Sequence, residues 1–206
     1  GVPSGFQNSV IAIANVFVQS NINAFGKMAM AGCGSYSKIE GFAFLPVTCF
    51  TMALTTFVSQ NLGAKQYDRA KKGARFGVLC SIAIAELIGI IIYTAAPVLI
   101  TAFNRDPDVV HYGVMQSRTI ALFYCLLAFS HCIAAILRGS GNASVPMIVM
   151  LCDWCLFRVS YITVAVRIIP DIRVIFWAYP LTWGISSVIF LYLFLRGKWV
   201  YGFEKS

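Results

Sequence analysis

The sequence predicts an all-α polytopic membrane protein, and three observations carry that reading. Of its 206 residues 59% are hydrophobic and only 12% charged, against about a quarter charged in an ordinary soluble domain. The mean hydropathy is +0.76. Long apolar runs bounded by charge or Gly/Pro clusters recur along the whole chain, each suited to the roughly 20 residues that a crossing helix needs. A membrane strand needs only about 9–11 residues of alternating polarity, a pattern that the runs lack.

Six runs follow in order: roughly 5–23, 39–62, 76–103, 112–137, 145–166 and 174–195. The first carries Ser4, Asn8, Asn15, Gln19 and Asn23 within a stripe about 100° wide at helical spacing, broken only by Ala12. A polar residue facing lipid is costly, so this row faces a bundle interior or a wet cavity. The second run holds Pro46, the third Pro97, the fifth Pro146 and the sixth Pro180. Pro146 falls in a first turn, where a missing N–H does no harm, and Pro97 is the place for a kink. "RGSGN", 138–142, lacks the lysine and preceding strand of a phosphate loop and reads as a turn between the fourth and fifth runs.

Between the second and third runs lie Lys65, Arg69, Lys71, Lys72 and Arg75. A net charge of +8 admits nucleic acid as a partner, but no recognition motif or stacking set of aromatics accompanies the bases. The cluster reads instead as a cytoplasmic connector, Lys65, Arg69 and Lys72 sharing a face suited to a short helix on the headgroups. With that connector and the C-terminus cytoplasmic, nine Lys and Arg face inward and six outward, Arg158 lying within a span.

Charges inside spans are functional candidates by default. Glu86 lies in the third run, His131 in the fourth, and Asp153 and Arg158 in the fifth; Glu86, Asp153 and His131 are candidates for a titrating or ion-binding group, and Arg158 a structural charge. Asp153 and Arg158, five residues apart, fall about 140° apart on an α-helix and are poor direct partners there. The C-D-W-C of Cys152 and Cys155 has no second pair for zinc and no βαβ setting for redox work. Seven scattered cysteines do not make a disulfide framework. No nucleophile triad, paired carboxylates or metal-ligand cluster is legible in the sequence, so an enzyme is not expected. The start at Gly1, with no basic region or cleavage site of a secretory signal, points to a piece of a longer chain.

"GVPSGFQNSV", "VQSNINAFG", "TFVSQNLGAKQYDRAKKG", "LRGSGNASVPM" and "CDWCLFRVSYI", in that order, resemble the multidrug and toxic compound extrusion (MATE) family. The resemblance implies twelve helices in two six-helix lobes, residues 1–206 matching the C-terminal lobe, with the N-terminal lobe of the same chain as partner. It implies a cytoplasmic-membrane antiporter exporting cationic, amphipathic drugs against H⁺ or Na⁺ by alternating access, with no other cofactor. Asn8, Asn15, Gln19 and Asn23 become the expected substrate contacts, Asn15 and Gln19 foremost. The carboxylate that several branches carry in this lobe's first helix is absent, as is the acid of its fourth, which directs coupling to the other lobe. Two alternatives are a lipid-linked glycan flippase, for which only Arg158 is available to hold pyrophosphate, and a six-helix channel subunit.

Overall fold

The computed structural model describes residues 2–196 and 199–201, with side chains from residue 9 onward. Six rods follow one another: α1 (Val2–Asn23), α2 (Lys27–Gly63), α3 (Tyr67–Phe103), α4 (Pro107–Gly139), α5 (Ser144–Ile168) and α6 (Ile172–Leu195). Among the described residues α2 to α6 are long and apolar enough to cross a membrane. In α1, 22 residues and about 33 Å long, the amide row dilutes the apolar content.

The packing is that of a protein dissolved in lipid. Large apolar side chains point outward, among them Phe42, Leu45, Met52, Phe76, Leu79, Val98 and Val188. Helix contacts are built from small residues: Ala70, Ala74, Ala85, Ala96, Ala128, Ala134 and Ala135 are buried. In a bilayer there is little hydrophobic gain between helices, so close backbone approach through small side chains supplies the contact energy. At the α2–α4 crossing a Cβ on Gly32 would stand 2.6 Å from Val109 O and 2.9 Å from Gly113 N. Ser130 adds hydroxyl bonds across to α6, at 2.9 Å to Ser187 and 3.2 Å to Ser186.

Two of the turns share one device. Gln66 N–H donates to Asn61 O and Lys65 N–H to Leu62 O, and likewise Asn142 to Leu137 and Gly141 to Arg138. Each pair is a Schellman closure, which requires a left-handed residue after the helix. Gly141 fills that position with φ 87°, Lys65 with φ 56°. The stretches "NLGAKQ" and "LRGSGN" are thus the same structural phrase.

The basic cluster differs from its expected form. Lys65 sits in the turn, while Arg69, Lys71, Lys72 and Arg75 belong to the opening turns of α3, continuous with the span. No separate surface helix intervenes, because nothing after Tyr67 interrupts the helix. The second run also starts earlier than predicted: α2 begins at Lys27, three turns before Ile39.

Two rods are locally irregular. α4 tightens to a 3₁₀ turn at Ala121–Phe123, and α5 widens to a π-helix at Leu151–Phe157.

Candidate functional site

A cavity of about 280 Å³ opens between α1, α2, α5 and α6. α1 contributes Asn15, Val18 and Gln19; α2 contributes Ser37, Glu40 and Phe44; α5 contributes Trp154 and Arg158; α6 contributes Tyr179 and Trp183. Apart from the adjacent Val18 and Gln19, these residues are three, four or seven apart within each helix, so each rod turns one face inward. Asn15 and Gln19 are exposed rather than engaged in helix contacts. Gln19 also donates to Asn23 at 3.0 Å, which extends the row although Asn23 does not line the chamber. The Asn8 side chain lies outside the described residues.

Glu40 is the carboxylate of this chamber, and the sequence reading passed over it. Taking the second run from Ile39 put Glu40 beside a membrane edge, where an acid is unremarkable. The true start at Lys27 places it four turns into α2, inside the bundle. The signal that would have found it is Tyr36–Glu40, an i,i+4 pair: Tyr36 Oη donates to Glu40 Oε1 at 3.0 Å. Tyr36 is fully buried, and its hydroxyl lies 2.9 Å from that of Tyr124 on α4.

Across the chamber stands Arg158, 2% exposed. Its guanidinium lies 4.6 Å from the ring centroid of Tyr179 and 5.0 Å from that of Trp154, contacts in which the quadrupoles of the rings offset part of the desolvation of the charge. Nε donates to Thr182 Oγ1 at 3.4 Å, while Nη2 has no hydrogen-bond partner among the described residues. Glu40 and Asp153 act on it electrostatically without forming a contact ion pair among the described residues.

The π-helix corrects the expected separation of Asp153 and Arg158. Arg158 N–H donates to Asp153 O, an i→i−5 bond that closes one wide turn between them. Five residues then amount to about one turn, and both side chains are buried. Both Asp153 carboxylate oxygens lack a hydrogen-bond partner among the described residues. Wide turns of this kind recur at functional sites, because they re-aim side chains that a regular helix would splay apart.

The remaining candidates lie elsewhere. His131 packs edge-on to Phe44 at 6.0 Å and to Trp154 at 5.3 Å, behind the chamber wall. Glu86 lies midway along α3 and accepts from Cys125 N–H at 3.3 Å. It thus satisfies a backbone donor at the 3₁₀ break of α4 and does not line the chamber. Lys65, Arg69, Lys71, Lys72 and Arg75 are at the far end of the bundle, in the α2–α3 turn and early α3.

Membrane-length helices closing on an amide-, ring- and charge-lined chamber define a polytopic membrane domain. The family model described as MatE matches residues 3–163, and the chain belongs to that family, one of transporters rather than enzymes. A probable multidrug resistance protein NorM of Thermotoga maritima is 26% identical over 204 residues, 97% of this chain and 43% of its own length. An FAD transporter of Shewanella oneidensis is 22% identical over 94% of this chain and 43% of its own length. A solved outward-facing multidrug resistance MATE family transporter of the MOP superfamily superposes with a TM-score of 0.87 at 18% identity, covering all of this chain and 46% of the other. The chain therefore spans less than half the length of these relatives. At such identity the structural likeness establishes the fold.

Proposed function

We propose that this chain forms one six-helix lobe of a two-lobe antiporter in the cytoplasmic membrane, exporting amphipathic organic cations against H⁺ or Na⁺. The observation that carries the reading is Glu40, a carboxylate facing the same ring-lined chamber as Asn15 and Gln19. An organic cation would gain the carboxylate charge, the faces of Trp154, Tyr179 and Trp183, and amide hydrogen bonds. A proton or sodium ion on Glu40 would compete for the same charge, and that competition is the physical basis of exchange. The names of the multidrug relatives support drugs as the cargo, and their greater length supports a second lobe, which this reading takes to be N-terminal. The basic turn and the C-terminus face the cytoplasm in this reading, following the distribution of Lys and Arg.

In the full-length parent, Glu40→Gln should abolish drug resistance in a sensitized strain while membrane insertion is unaffected. Glu86→Gln should retain resistance, since an amide oxygen still accepts from Cys125 N–H. Full resistance in Glu40→Gln would contradict the assignment.

One observation favours a second reading. The Nη2 of Arg158, with no hydrogen-bond partner among the described residues and framed by two aromatic rings, suits an anionic aromatic guest, as the FAD transporter among the relatives handles. Under that reading Arg158→Gln would abolish uptake of a flavin nucleotide into inverted vesicles, and Glu40→Gln would spare it.

A further inference from the structure

A second pocket, of about 370 Å³, lies at the other end of the molecule, lined by Lys71, Arg75, Phe194, Leu195, Trp199 and Val200. We propose that it binds the headgroup of an anionic phospholipid. Lys71 and Arg75 are one turn apart on α3 and so project from one face. Neither makes an ion pair or hydrogen bond among the described residues. Phe194 at the end of α6 stacks on Trp199 with centroids 5.6 Å apart and planes 10° from parallel. Tyr67 meets Tyr201 at 5.7 Å, which seats the short turn 199–201 against the start of α3.

The position fixes the kind of ligand. Beyond Arg75, α3 carries no charge until Glu86, and Phe76 and Leu79 are 70% and 66% exposed. Arg75 is therefore the last charge on α3 before the hydrocarbon, with Lys71 one turn behind it, at the depth of lipid phosphates. Four of the six lining residues are apolar or aromatic. A free phosphate would use only the two bases, whereas a phospholipid places its phosphate on them and its glycerol and upper acyl carbons along Phe194, Trp199 and Val200. Interfacial aromatics suit that boundary because they are apolar in body and polar at one edge. The site is independent of what the central chamber carries.

The test is native mass spectrometry of the full-length chain titrated with phosphatidylglycerol or phosphatidylcholine. Phosphatidylglycerol should bind preferentially, and Lys71→Gln/Arg75→Gln should lower its affinity about 30-fold through loss of two charge-assisted phosphate contacts. Lys71→Arg/Arg75→Lys should preserve binding and controls for folding. Trp199→Leu should weaken binding of the lipid with both bases intact. The control Lys65→Gln/Lys72→Gln, at exposed bases away from the pocket, should leave affinity nearly unchanged. Equal loss in that control would reduce the effect to diffuse surface charge and overturn the proposal. Displacement of the lipid by millimolar inorganic phosphate would show a free-anion site and overturn it as well.

Discussion

The hydroxyls of Tyr36 on α2 and Tyr124 on α4 lie 2.9 Å apart, and Tyr36 donates its proton to Glu40 at 3.0 Å. With that proton committed, Tyr124 donates to the Tyr36 oxygen, so a two-step relay links α4 to the chamber carboxylate. Tyr36→Phe removes both bonds and leaves Glu40 and the buried Tyr124 hydroxyl unpaired, at about 2–3 kcal/mol; Tyr124→Phe removes one, at about 1 kcal/mol. Thermal unfolding in detergent checks the order. Equal losses would contradict the relay.

Glu86 and Gly89, three residues apart on α3, both face the broken turn of α4. Glu86 accepts from Cys125 N–H, and a Cβ at Gly89 would collide with the Ala121 carbonyl. Glu86→Leu orphans the N–H in a medium without water, at about 1–3 kcal/mol, while Glu86→Gln stays close to wild type. Gly89→Val must push the rods apart and should lower the melting temperature further than Glu86→Leu. Thermal unfolding of the three variants decides this.

Arg158 is buried within electrostatic reach of Glu40 and Asp153, with no contact ion pair among the described residues. Removing it takes the positive charge away from two acids, so Arg158→Leu should destabilize, by less than the roughly 3–5 kcal/mol of a broken contact pair. Adding Asp153→Asn removes one orphaned charge and should recover part of that loss. Failure of the double variant to recover stability, in a double-mutant cycle, would mean that the two side chains are not coupled.

Lys65 holds the left-handed position of its turn that Gly141 holds in the other. Lys65→Gly should therefore stabilize the chain by up to about 1 kcal/mol, since glycine adopts that conformation without the clash of a Cβ. A drop in melting temperature would show that Lys65 makes contacts that outweigh its backbone strain.

The six rods were legible because each long apolar run has one economical solution in lipid, a helix with every backbone group bonded internally. The amide row of α1 was legible because its spacing lies within one helix, and Asn15 and Gln19 do line the chamber. Glu40 was missed because Lys27–Ser37 is rich in small, weakly apolar residues and reads as a connector. Gly32 and Cys33 instead make it a tightly packed helix. The π-turn between Asp153 and Arg158 and the 3₁₀ break beside Glu86 are departures from regular helix that apolar periodicity does not register. Neither leaves a local mark in the sequence.

Whether the α1 amides face water in company with Glu40 is tested most directly by accessibility. Cysteines placed singly at Asn15, Gln19 and Glu40 in a cysteine-free full-length background should react with a membrane-impermeant thiol reagent. A cysteine at Ile13, 69% exposed on another face of α1, should stay unlabelled in the bilayer. Labelling at Ile13 with silence at Asn15, Gln19 and Glu40 would contradict the chamber.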